Sequence, residues 1–197
     1  RRRYVRLIGG RRTAEFVRGS VTPERACVGS TGVATATEIG RVSSGPPGKQ
    51  AGNLDNKERV AGSTLFMPVF APGALFEIGD GHAAQGDGEV DQTAIETSLR
   101  GRLQLVVHKG MTLAWPRAET KTDYISMGTD ENLTKATQIA IQEMVDFLVS
   151  TRGLDKLAAY QLTSVAGHVV ITQLVDQKVG VHVKMPKDIF TTAPGKR

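Results

Sequence analysis

Residues 121–185 read KTDYISMGTDENLTKATQIAIQEMVDFLVSTRGLDKLAAYQLTSVAGHVVITQLVDQKVGVHVKM, and in them the hydrophobic period changes twice. Lys121 to Ser126 reads as a strand. Leu133, Ala136, Ala140, Met144, Phe147 and Leu148 then recur at steps of three and four, which places them on one helical face. Thr129 or Asp130 is the expected N-cap of that helix and Gly153 its stop. A second helix is expected from about Asp155 to Val165, making an αα-hairpin over about 130–166. Val169 to Val175 and Val179 to Met185 read as closing strands around a turn at Asp176 to Lys178. Helices that are flanked by strands, without regular alternation, disfavour a doubly wound parallel sheet. The expected class is α+β, mainly β: an antiparallel sandwich or barrel-like core carrying a helical hairpin.

Upstream, residues 19–64 look loop-like, rich in Gly, Ser, Thr and Pro, with a breaker cluster at Ser43-Ser44-Gly45-Pro46-Pro47-Gly48. Thr64 to Phe70 is a strand candidate, limited to an edge or bulge by Pro68, which lacks a ladder N–H. Further strands are expected at Gly88 to Ile95, at Gly101 to Val107 with an alternating half-buried pattern, and ending at Trp115-Pro116.

The 197 residues carry a net charge of +5, with 40% hydrophobic and 23% charged residues, a globular composition. No apolar run approaches the roughly 20 residues that span a bilayer, so a helical membrane protein is excluded and no membrane partner is expected. A single cysteine, Cys27, excludes an internal disulfide framework, and Cys27 itself reads as a buried or incidental thiol. Residues 1–18 hold seven Arg and one acid, Glu15, whereas the other 179 residues hold 18 Lys and Arg against 19 Asp and Glu. The basicity thus belongs to an N-terminal arm over residues 1–18, read as solvated or as a targeting remnant, ahead of a domain over 19–197. A near-neutral body with few aromatics argues against nucleic acid as a partner. The location expected is cytoplasmic, with the Arg-rich start leaving a mitochondrial alternative.

Between Arg59 and Arg100 there is no Lys or Arg, while Glu77, Asp80, Asp87, Glu89, Asp91 and Glu96 all fall there, with His82 among them. Clustered carboxylates repel unless they share a proton or a cation. Within the interval, GDGHAAQGDGEV (79–90) spaces Asp80, His82, Gln85, Asp87 and Glu89 with small residues that leave room for a ligand. Asp87 and Glu89, two apart, would share a face in an extended chain. A His beside carboxylates can bind a divalent metal, and a further carboxylate can act as base for a water on it. The plain alternative is a Gly-rich hairpin loop with solvated acids. The spacing matches neither an EF-hand, HExxH, a P-loop nor a dinucleotide fingerprint.

GNLDNKE (52–58), TLFMPV (64–69), PGALF (72–76), GDGHAAQGDGEV (79–90), WPRAET (115–120), Met127-Gly128, ITQLVD (171–176) and Gly180-Val181-His182 together resemble the acetamidase/formamidase family. The resemblance runs over about residues 27–190. Family members carry a further N-terminal portion, so the domain over 19–197 is expected to be incomplete relative to the family. The resemblance implies an amidohydrolase that converts short aliphatic amides to carboxylate and ammonia by a metal-activated water, in a homo-oligomer, with a divalent metal, zinc, as cofactor. Carried onto this chain, His82 and Asp80 are the expected metal ligands. Glu89 or Asp87 is the expected general base, Gln85 a further catalytic group, and Asn53, Asp55 and Gln85 the substrate-binding residues. The alternative is a non-catalytic subunit of a larger assembly on the same fold.

Overall fold

A computed structural model describes residues 5–8, 10 and 12–191. Arg1, Arg2, Arg3 and Arg11 of the basic arm lie outside the described residues. The arm is not wholly irregular: β1 (Arg6–Ile8) and β2 (Thr13–Glu15) pair antiparallel, and β3 (Thr22–Pro23) completes a three-stranded sheet. That sheet runs across residue 18, where the arm was expected to end.

Two larger antiparallel sheets follow, so the class is α+β and mainly β. The first contains β4 (Cys27–Gly32), β5 (Ala51–Asn53), β7 (Glu77–Ala84) and β8 (Ile95–Glu96), in the order β5-β4-β7-β8. The second is five-stranded, in the order β11-β12-β10-β9-β6, and contains β6 (Thr64–Phe66), β9 (Arg117–Glu119), β10 (Asp123–Asp130), β11 (His168–Gln173) and β12 (Val179–Pro186). Helices α1 (Leu133–Arg152) and α2 (Lys156–Ala166) form the expected hairpin between β10 and β11. Among the described residues no helix is long and apolar enough to cross a membrane.

Alternation along β10 and β12 sorts the layers. Val181, Val183 and Met185 meet Ala136, Ala140, Met144 and Leu148 of α1 in one core. Gly128 lets α1 approach the sheet: a Cβ there would lie 2.5 Å from the Ala136 carbonyl oxygen and 2.7 Å from the Ala140 nitrogen. On the opposite face Ile125 and Met127 pack with Ala118 and with Ala51 and Leu54 of the other sheet's β5 segment. Burying these aliphatic side chains contributes about 25 cal/mol per Å² of apolar area removed from water.

Several expectations need correction. Residues 19–64 contain β4 and β5, not only loops. Residues 77–84, in the Gly-rich motif, form a strand because pairing with β4 overrides the poor strand propensity of Gly and Asp. Gly88 to Ile95 is instead a turn, the strand beginning only at Ile95. Gly101 to Val107 has no strand and lies exposed, since alternation without a pairing neighbour does not make a ladder. Thr64 to Phe70 is a strand only to Phe66, and Trp115-Pro116 precedes a strand rather than ending one. The α1 N-cap is Asn132, whose side chain accepts from the Lys135 N–H, because β10 stays in register with β12 through Asp130. Gly153 ends α1 in the left-handed conformation, as expected.

Candidate active site

The site grows from three neighbouring strands. β4 and β7 pair with Cys27 opposite His82, and β7 pairs β8 with His82 opposite Glu96. Gly81 permits the β8 side to come close, since a Cβ there would lie 2.4 Å from the Thr97 carbonyl oxygen. Asp80 and His82, two apart on β7, therefore stand beside Glu96. The loop after β5 brings in Asp55, whose N–H donates to the Gly29 carbonyl of β4. The turn after β7 brings in Glu89, and it is tied to β11 through Gly88, whose N–H donates to the Ile171 carbonyl.

His82, 1% exposed, is the hub. Its Nε2 lies 3.3 Å from Asp80 Oδ1, 3.4 Å from Glu96 Oε2, 3.9 Å from Asp55 Oδ1 and 4.0 Å from Glu89 Oε1. Nδ1 lies 2.9 Å from Gln85 Oε1, and the Gln85 amide in turn donates to the Asp55 carbonyl. With its NH2 so engaged, the Gln85 oxygen can only accept, which puts a proton on Nδ1 and turns Nε2 toward the carboxylates. Cys27 Sγ, 3.9 Å away, also faces that oxygen. Arg59 is buried behind the strand and donates to the Gly29 carbonyl and the Thr31 hydroxyl.

The backbone at three of the acids is left-handed: φ is 46° at Asp55, 59° at Asp80 and 39° at Glu89. Non-glycine residues hold that conformation only where surrounding contacts impose it, and such positions concentrate at functional sites.

Electrostatics follow from burial and crowding. Burial pushes Asp55 up to about 8, with Glu89 and Asp80 adding to it against the pull of His82. Burial likewise pushes Glu89 up to about 7, with Asp176 and Glu96 adding and His82 opposing. Burial disfavours charge on His82, but hydrogen bonds to Asp80, Cys27 and Gln85 and the charge of Glu96 raise it to about 11. Asp80 is held below the usual carboxylate range, first by its hydrogen bond to His82.

Among the described residues two groups of donors each lie within 4.8 Å: Asp55, His82 and Glu89, buried, and Asp80, His82 and Glu96 toward solvent. Asp55 Oδ1 is buried without a hydrogen-bond partner. The side chains of the site close directly over Gly29. A Cβ placed there would lie 2.4 Å from Asp80 Oδ2, 2.6 Å from Asp55 Oδ1 and 2.8 Å from His82 Cε1. An unpaired buried oxygen and a hard N/O donor set of one imidazole nitrogen and the surrounding carboxylates fit a small divalent cation.

Of the residues singled out from sequence, Asp80, His82, Gln85, Glu89 and Asp55 are brought together. Asp87 is not: it is 52% exposed and pairs with Lys57 at 2.8 Å. Gly88 and Glu89 both have positive φ, so the chain turns and the same-face expectation for Asp87 and Glu89 fails. Asn53 donates to Asp176 at 3.1 Å. Glu96 joins the site only through the pairing of β8 with β7, a register that nothing in the sequence announces.

A model of the "Acetamidase/Formamidase family" matches residues 11–192. The crystal structure of an acetamidase from Yersinia enterocolitica superposes with a TM-score of 0.85 at 30% identity, covering 96% of this chain and 56% of that one. An acetamidase from Bacillus halodurans gives a TM-score of 0.81 at 27% identity, covering 94% and 62%. A curated acetamidase from Mycolicibacterium smegmatis is 48% identical over 46 residues, 23% of this chain and 11% of that protein. The chain thus spans little more than half the length of these solved relatives.

Proposed function

The chain belongs to the acetamidase/formamidase family, and on that premise we propose that it serves the hydrolysis of short aliphatic amides to carboxylate and ammonia. The observation that carries the reading is the convergence of four carboxylates on Nε2 of one buried histidine.

His82 Nε2 with Asp80 and Glu96 would hold a divalent metal, zinc being our candidate, and the buried Asp55 faces the same nitrogen. When bound, such an ion supplies Lewis acidity toward a carbonyl oxygen and acidifies water. Every other step falls to the chain. Gln85 fixes the His82 ring through Nδ1, which makes it a positioning group rather than the substrate contact expected from sequence. Glu89, buried and raised to about 7, can accept a proton at Oε1 from the attacking water near neutral pH and return it to the departing nitrogen. The strand pairing and the loop contacts of Asp55 keep these groups at fixed separations before any substrate arrives. We extend the proposal to a homo-oligomer, on the strength of the family resemblance.

The test is ammonia release from formamide and acetamide by the full chain, beside elemental metal analysis. Glu89→Gln should lower the rate by about 10²–10⁴-fold. Unchanged turnover in that variant, or no ammonia from either amide with zinc supplied, overturns the reading.

A further inference from the structure

We infer that Asp176, in the turn between β11 and β12, is a positioning residue of the acidic site, clamping together the two segments that carry Asp55 and Glu89. The sequence marks Asp176 only as a turn residue, and it lies 121 positions from Asp55 along the chain. In space its carboxylate is bound on both sides. Asn53 Nδ2 donates to Oδ2 at 3.1 Å, and Gln92 Nε2 donates to Oδ1 at 2.9 Å.

Those two amides belong to the segments that matter. Asn53 precedes Asp55 by two residues, at the end of β5. Gln92 closes the turn that begins at Glu89, its N–H donating to the Glu89 carbonyl at 2.9 Å. One carboxylate therefore spans from the Asp55 segment to the Glu89 segment, which no strand pairing connects directly. Its own turn is anchored independently, since Gln173 donates to the Lys178 carbonyl and accepts from the Val175 N–H.

Backbone strain points the same way. Asp55, Glu89 and Gln92 have φ of 46°, 39° and 70°, and Asp176 and Gln177 of 61° and 66°. All three segments meeting at this carboxylate hold left-handed non-glycine residues, which persist only when neighbouring contacts over-determine them. A carboxylate is suited to the place because it is acceptor-only, so both flanking amides can present NH2 groups to it.

The chemistry suggests a swap. In Asp176→Asn the Asn53 or Gln92 amide must turn over to offer its oxygen, and the charge-assisted contacts to a carboxylate become weaker neutral ones. Adding Asn53→Asp restores a carboxylate–amide contact there with donor and acceptor exchanged, keeps the Gln92 bond and leaves the net charge unchanged.

The experiment measures Zn2+ binding to the full chain by calorimetry for wild type, Asp176→Ala, Asp176→Asn and the Asn53→Asp/Asp176→Asn double variant. This readout rests on the metal reading above. Asp176→Ala should weaken Zn2+ binding about 10–100-fold, and the double variant should recover most of what Asp176→Asn loses. Wild-type affinity in Asp176→Ala, or no recovery in the double variant, overturns the clamp. If wild type binds no Zn2+, the metal reading fails, and the clamp is decided on the metal-free protein by hydrogen exchange. The Asp55 and Gln92 amides should then exchange about tenfold faster or more in Asp176→Ala and slow again in the swap relative to Asp176→Asn. Unchanged exchange overturns it.

Discussion

Gly29→Ala probes how closely the acids of the site pack against β4. Gly29 faces inward from β4, and its φ lies outside the left-handed region, so alanine is excluded by its neighbours and not by the backbone. The added Cβ would lie 2.4 Å from Asp80 Oδ2, 2.6 Å from Asp55 Oδ1 and 2.8 Å from His82 Cε1. Relaxed contacts need about 3.5 Å, so the carboxylates must retreat by roughly 1 Å. The three atoms belong to side chains, so the sheet need not part, and the stability cost should sit near the low end of the about 1–3 kcal/mol typical of overpacking. The Asp80 side chain is 35% exposed and can swing outward, whereas Asp55 is buried and cannot. Function should therefore suffer more than folding: a 1 Å misplacement costs about 10²-fold in rate. The assay pairs ammonia release from formamide with Zn2+ titration and urea unfolding. Gly79→Ala on the adjacent strand is the control, because its Cβ would meet nothing within 4 Å. Gly29→Ala that binds Zn2+ and turns over like wild type would refute the placement of Asp80 and Asp55 in the functional site.

Other consequences follow from the same geometry. Asp87→Asn should leave amide hydrolysis within a few-fold of wild type while Glu89→Gln abolishes most of it, because Asp87 pairs with Lys57 at the surface; equal losses in the two variants would reverse the assignment. Zn2+ binding should expel protons, since Asp55 at about 8, Glu89 at about 7 and His82 at about 11 all hold protons near neutrality in the metal-free site. Calorimetric heats that do not change between buffers of different ionisation enthalpy would contradict this. Burial lowers His182 to about 4 from the ordinary 6.5. A depressed folded-state value contributes stability above 6.5 that is lost as pH falls through 4, about 3 kcal/mol in all. Urea midpoints should fall between pH 7 and pH 4, less so in His182→Gln, and parallel profiles in the two proteins would exclude His182 as the source. Gly128→Ala should destabilise by at least about 1–3 kcal/mol, because the clash is with α1 backbone that cannot rotate away; an unchanged unfolding midpoint would contradict the packing.

The local signals carried much of this molecule. Helical periodicity placed α1 and α2, Asp155 and Gly153 bounded them, and the closing strands were legible from β-branched alternation, because those patterns repeat within a few residues. The absence of cations between Arg59 and Arg100 marked the acidic centre for a similar reason: charge crowding is a property of composition. What composition cannot encode is who faces whom. Gly101 to Val107 alternates like a strand and forms none, while the Gly-rich 77–84 forms one because β4 lies against it. Asp87 and Glu89 looked equivalent until two left-handed residues sent one to Lys57 and the other into the interior. Glu96 and Asp176 join the site through strand register and a distant turn. The sequence by itself determined the fold class and the region where chemistry gathers, because both depend on short-range pattern. The tertiary structure alone decided the membership of the site, because pairing between segments far apart in the chain sets which polar side chains share one buried space.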